Sequence, residues 1–209
     1  MYPVADVCAA IIAFEEARCL PMALGCLPDG VAAVVADGAY AEFPHEFPSS
    51  QDGTCDLAER WGAHVMRVRE AWSDQCAKRT ATFEYAATIA PVVLWLDADE
   101  LVEGDVPKLP EGYDVGWVWI RSSLYPEPYL QPRLYRWRAG WHFEKRHHWI
   151  YDADGGLVST HRKPGERYRH IMLPALIHNM RDWRSENRDR AKRSYRERRN
   201  VHEMRHGEE

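Results

Sequence analysis

The sequence predicts an α/β fold: a mixed, mainly parallel sheet flanked by helices, followed by a β-rich C-terminal segment and a terminal helix. Three observations carry this. Three short apolar runs and one short mixed strand fall in the first hundred residues, and helical periodicity fills the gaps between them. After residue 105 the pattern changes to strand-like alternation. A chain of 209 residues suits one domain, and 45% hydrophobic with 28% charged residues excludes collagenous, disordered and membrane-spanning classes.

Residues 7–13 are continuously apolar and read as a buried strand; 15–27 then carry Leu20, Leu24 and Leu27 at helical spacing. Residues 31–36 form a second apolar run, ended by Asp37-Gly38. The stretch 39–51 holds Pro44, Pro48 and two serines and is a long loop, a place where function often resides. Asp52 can cap a helix with Leu57, Ala58 and Trp61 on its apolar face, which Gly62 stops before a short strand over 64–68. Over 74–88, Cys76, Thr80, Phe83 and Ala87 share one helical face, and 91–96 is a wholly apolar strand. Beyond it, 115–122 and 133–137 alternate like strands, 154–156 is a turn, and 182–199 is helical. Ligands of such a sheet bind at the C-terminal ends of its strands.

Net charge is −5, unevenly spread: residues 181–209 hold 10 Lys and Arg against 7 Asp and Glu, whereas the rest is acidic. That basic tail interleaves its charges, as a solvated helix with pairs such as Glu186–Arg190 does, and it is also a pattern that can track phosphates. The five cysteines are odd in number and form no CxxC, so reduced structural thiols are expected. The run 7–14 is too short for a bilayer span and has no basic leader, so the expectation is a cytoplasmic protein.

The strongest chemical signal is Leu96-Asp97-Ala98-Asp99-Glu100. Two aspartates at i and i+2 on an extended segment face the same way and can offer oxygen ligands to one divalent cation. Fourteen aspartates yield about one such pattern by chance, so position decides its meaning. Asp97 and Asp99 end the fourth strand, which is wholly apolar, whereas Asp152-Ala153-Asp154 runs into Gly155-Gly156 and reads as a hairpin turn.

The succession Ala10-Ile11-Ile12-Ala13-Phe14-Glu15-Glu16, Val34-Val35-Ala36-Asp37-Gly38, Asp52-Gly53-Thr54, Lys78-Arg79-Thr80 and Leu96-Asp97-Ala98-Asp99-Glu100 resembles the nucleotide-sugar half of GT-A glycosyltransferases. It is nearest to family 2, of the small bacterial or bacteriophage type. The resemblance implies a single GT-A, Rossmann-like domain over 1–209: a nucleotide-sugar half at 1–105, an acceptor half at 106–180 and a basic tail at 181–209. It implies a hexosyltransferase-like enzyme moving a sugar from a nucleotide diphosphate sugar, a UDP-sugar foremost, to an acceptor hydroxyl, with Mn²⁺ or Mg²⁺ as cofactor. Phe14, Glu16, Asp37, Lys78, Arg79 and Asp97 would then bind the donor, and Asp97, Asp99 and His178 the metal.

Elementary chemistry supports these roles separately, since an aspartate accepts from uracil or ribose donors and cations bind diphosphate by charge-assisted hydrogen bonds. Bland readings stand beside them: Asp37-Gly38 is also a turn signal, Lys78 and Arg79 also suit a solvated helix face, and His178 also suits a strand end. The Glu-Asp dipeptide that carries the catalytic base in inverting family members occurs nowhere in the chain. Glu144, His147 and His148, in a Trp- and His-rich stretch, have chemistry suited to accepting a hydroxyl proton, and equally suit a surface strand. Trp117, Trp119 and Arg121 share one strand face, which is either a platform for sugars or bases or a surface packed under the tail. The rival class is a nucleic-acid-binding module resting on the tail and aromatics; a modified nucleic-acid base, a glycan or a protein are all open as acceptors.

Overall fold

The computed structural model describes residues 6–41, 45–144, 146–159 and 167–180, with side chains at 146–148 excepted. The expected terminal helix and the tail, with the Glu186–Arg190 pair, lie outside the described residues.

The elements follow in the order β1 (Val7–Ile12), α1 (Leu20–Gly25), β2 (Ala32–Ala36), α2 (Thr54–Arg60), β3 (His64–Met66), α3 (Gln75–Ile89), β4 (Val92–Trp95), β5 (Glu100–Glu103), β6 (Val115–Ser122), β7 (Tyr129–Tyr135), β8 (His142–Glu144), β9 (Arg146–Tyr151) and β10 (His170–Asn179). Eight strands form one sheet in the order β3-β2-β1-β4-β7-β6-β10-β5, and β8 pairs with β9 in a second. Six of the eight run one way; β7 and β5 run against them. This is the mixed, mainly parallel Rossmann-like α/β class that the sequence predicts, with strands from both halves of the chain sharing one sheet.

Burial explains the pattern. β1 and β4 are buried at every position because the sheet is covered on both faces. On one face Ala9, Ile11, Val35, Leu94, Val118 and Ile120 pack with Leu20, Leu24 and Ala58 of α1 and α2. On the other, Ala10, Val34, Val93, Trp95 and Tyr135 pack with Phe83 and Ala86 of α3 and with Phe143 and Ile150 of the β8–β9 hairpin. All five cysteines are free thiols, and burial pushes Cys8 and Cys55 up to about 12, which keeps them protonated and inert.

Several local expectations change. The residue capping α2 is Gly53, in a left-handed conformation and without a side-chain cap, and not Asp52, while Trp61, expected on the apolar face of that helix, is exposed. The first helix is shorter than 15–27, beginning at Leu20 with Pro21 in its first turn, while Glu15 takes a left-handed φ of 57° in the loop before it. The helix over 74–88 exists, capped by Asp74, whose carboxylate accepts from Ala77 N at 2.7 Å. Of the expected face Phe83 is fully buried and Cys76, Thr80 and Ala87 half-buried, but the deepest positions also include Lys78, Arg79, Thr82 and Ala86, because the two cations have partners at the strand ends. Finally, Asp97-Ala98-Asp99-Glu100 is a tight turn closed by Glu100 N donating to Asp97 O at 2.9 Å, and not an extended segment presenting both carboxylates alike.

Candidate active site

Loops leaving the C-terminal ends of β1, β2 and β4 meet over α3. The side chain of Lys78, fully buried, joins the first two: its Nζ donates to Ala13 O and to Gly38 O, each at 2.6 Å. Asp37, also fully buried, spends both oxygens on Ser50, accepting from its backbone N at 2.9 Å and its Oγ at 2.5 Å. Ser50 Oγ in turn accepts from Glu15 N at 2.8 Å, so the long loop is pinned to both strand ends. Gly38 has φ +120°, and a Cβ there would stand 2.4 Å from Val68 Cγ2 and 3.1 Å from Pro48 O. Only glycine fits that approach. Phe14 and Glu16 are buried nearby, the first edge-on to His45, the second donating its backbone N–H to Thr54 Oγ1 at 2.9 Å.

Beside this frame stands a charge cluster. Arg79, 3% exposed, lies over the Trp95 ring with its guanidinium carbon 4.2 Å from the centroid, and its Nη2 donates to Asp97 Oδ1 at 2.9 Å. Trp95 Nε1 donates to the same oxygen at 3.0 Å. Burial would raise the Asp97 carboxyl, but Arg79 and Arg133 hold it well below the usual carboxylate range. Glu100 accepts from Asp97 N at 3.0 Å, from Arg133 Nη2 at 2.6 Å and from Asn179 Nδ2 at 3.3 Å. Burial pushes Glu100 up to about 7, against the pull of Arg133 and with the help of Asp97 and Asp99.

Arg133 reaches this cluster through a β-bulge. Gly116 pairs with Leu134 and Trp117 with Pro132, which leaves Arg133 as the extra residue that the bulge turns inward. It stacks on the Trp95 ring at 4.8 Å, and its buried Nε and Nη1 have no hydrogen-bond partner among the described residues.

Of the residues singled out from sequence, Asp37, Lys78, Arg79, Asp97 and Asp99 therefore gather at one end of the sheet. Lys78 and Arg79 are buried struts rather than a solvated face. His178 is not gathered there: Asn179 faces Glu100, so His178 faces the other side of β10, where its Nε2 bonds Glu103. Among the described residues no three His, Cys, Asp or Glu side chains group as a metal site. Glu144 is exposed, 3.6 Å from His142 Nε2, on a hairpin anchored by Phe143 N donating to Thr80 Oγ1 at 3.0 Å. The side chains of His147 and His148 lie outside the described residues. The second Asp-x-Asp is the turn expected of it, with Asp152 accepting from Asp154 N and Gly156 N at 2.9 and 2.7 Å. Glu100, Arg133, Asn179 and Ser50 escaped sequence reasoning. Glu100 adjoins the aspartates and was within reach, whereas a bulge at Arg133 has no sequence signal.

No helix among the described residues is long and apolar enough to cross a membrane. No protein-family model and no curated protein matches the chain. Among solved structures, S. aureus TarS matches at 12% identity and a TM-score of 0.44, over 58% of this chain and 22% of that one. The structure of S. aureus TarS 1–349 in complex with UDP matches at 13% identity and a TM-score of 0.43, over 56% of this chain and 36% of that one. A further structure of S. aureus TarS 1–349 matches at 13% identity and a TM-score of 0.44, over 58% of this chain and 37% of that one. The matched part thus spans well under half of each of those chains.

Proposed function

We propose that this chain is a GT-A glycosyltransferase, similar to family 2, that transfers a sugar from a UDP-sugar to an acceptor hydroxyl with the help of Mg²⁺ or Mn²⁺. The observation that carries this reading is the Asp97 carboxylate held by Arg79 Nη2 and Trp95 Nε1 at the C-terminal end of β4, next to the β1 and β2 loops. Those loops form the floor for the nucleoside, with Phe14, Glu16 and Asp37 beside it. Lys78 and Arg79 act at one remove, by fixing the loop carbonyls and Asp97.

The donor set suits a divalent cation. Both hydrogen bonds that the Asp97 carboxylate accepts from described residues end on Oδ1, which leaves Oδ2 for a ligand, and one or two carboxylates plus substrate phosphates are the usual protein share of a Mg²⁺ site. Asp97 and Asp99 would hold the ion, which when bound neutralises charge on the departing diphosphate as a Lewis acid. Arg133, with two unengaged guanidinium nitrogens, adds positive potential to the same spot. The proton of the acceptor hydroxyl passes to a base on the β8–β9 hairpin, drawn from Glu144, His147 and His148. That hairpin is tied to Thr80, the residue after Arg79, so it sits next to the charge cluster.

Release of UDP from UDP-glucose, UDP-galactose and UDP-N-acetylglucosamine in Mn²⁺ tests this. The expected result is slow donor hydrolysis by the wild type, abolished in Asp97→Asn; no release from any donor, or equal release by the variant, contradicts it.

A further inference from the structure

We infer that the groove over Trp119 is the acceptor subsite, and that the unit it takes is a saccharide; this rests on the glycosyltransferase reading above. β6 runs through the interior of the sheet between β7 and β10, and Val118 and Ile120 on its inner face are fully buried. On its other face Trp117 is buried, yet Trp119 is 45% exposed and Arg121 is exposed beside it. An indole left open on an interior strand is a large apolar surface that folding alone does not call for.

The groove above it measures about 550 Å³ and is walled by Glu103, Arg121, Glu127, Pro128 and Pro174. That volume lies within the range of small-ligand sites. Two of its walls are placed by strand pairing and by a side-chain contact. Pro174 sits in a bulge of β10, where Met172 pairs with Trp117 and Leu176 with Trp119, so that β10 carries two residues more than β6 across the same span. Glu103 is held by the ring of His178, which makes His178 a positioning residue of this groove.

The chemistry of the lining selects the ligand class. The indole offers one flat apolar face, and two carboxylates with one guanidinium offer hydroxyl acceptors and donors around it. A sugar ring has one C–H face and a rim of hydroxyls, which matches both. A polyanion is disfavoured, because Glu103 and Glu127 outnumber Arg121. Location fits acceptor binding as well. Trp119 is on the same sheet face as Trp117 and Trp95, and β6 lies two strand spacings from β4, roughly 10 Å from the strand that ends at Asp97.

The test uses the whole chain labelled with ¹⁵N-tryptophan, the Trp119 indole resonance being assigned with Trp119→Phe. Methyl glycosides of glucose, galactose, mannose and N-acetylglucosamine, with maltotriose and chitotriose, are titrated in turn. At least one is expected to move that resonance saturably, with Glu103→Gln and Arg121→Gln each weakening the response roughly tenfold. Saturation-transfer signals from the same sugar should vanish in Trp119→Ala, while the thermal stabilisation by UDP and Mn²⁺ is unchanged. No response from any saccharide, or a response that survives Trp119→Ala, overturns the inference. If UDP stabilises the protein and no saccharide binds, the groove assignment falls and the donor reading stands. Saccharide binding at Trp119 with no response to UDP or another nucleoside diphosphate removes the donor reading instead.

Discussion

Arg79 Nη2 and Asp97 Oδ1 stand 2.9 Å apart, the guanidinium roofed by helix α3 and floored by the Trp95 ring. Without Arg79 the partly exposed Asp97 keeps Trp95 Nε1 and the nearby Arg133 but loses its closest cation, so Arg79→Ala should cost about 1–3 kcal/mol in urea denaturation at pH 7. The pair also sets an acid limit. Asp97 titrates below its ordinary 3.8 when folded, so its contribution is full above that value and is lost as pH falls through the depressed one. In Arg79→Ala this loss should begin at higher pH than in the wild type.

Glu100 works in the opposite sense. Its folded carboxyl is raised from 4.5 to about 7, so the stabilisation it contributes is present below 4.5 and disappears as pH rises through 7. Thermal melts of the wild type between pH 5 and 8 should therefore show a downward component that Glu100→Gln lacks. A variant with an unaltered slope would place the carboxyl at its ordinary value.

The Glu100–Arg133 pair separates stability from chemistry. Arg133→Met alone should destabilise by about 1–3 kcal/mol, because buried Glu100 loses its charge-assisted hydrogen bond and takes up a proton. Glu100→Leu combined with Arg133→Met should recover most of that loss, as apolar replacement of both partners commonly does. Nucleotide affinity should not recover with it, and chemical denaturation read beside UDP titration shows whether the two part company.

Asp37 and Gly38 hold the long loop. Asp37→Ala leaves the Ser50 donors unpaired in the interior and should cost about 1–3 kcal/mol, with UDP affinity falling too. Gly38→Ala forces a side chain into φ +120° against Val68 and Pro48 O, and should cost more than about 1 kcal/mol. Unchanged melting of either variant would mean that the loop is set elsewhere.

What the sequence disclosed follows from where information is local. The apolar runs of β1, β2 and β4 and the stop at Asp37-Gly38 are visible because burial on both faces demands unbroken hydrophobicity over a strand's length. β6 was legible from alternation alone. The buried face of α3 was not, since Lys78 and Arg79 read as solvent-facing until their partners on β1, β2 and β4 are known. Arg133 depends on the pairing register of β7 with β6, and β5 on a turn whose backbone reverses right after Asp97. His178 read equally as ligand or strand end, and only its register against β5 shows that it faces Glu103.

Calorimetric titration of UDP, in Mn²⁺ and again in EDTA, is the most direct measurement of whether the Asp97 strand end binds a nucleoside diphosphate. Saturable binding in Mn²⁺ is expected, weakened roughly tenfold or more by EDTA and likewise by Asp97→Asn. No heat of binding with the wild type, or equal affinity in the Asp97→Asn variant, would contradict it.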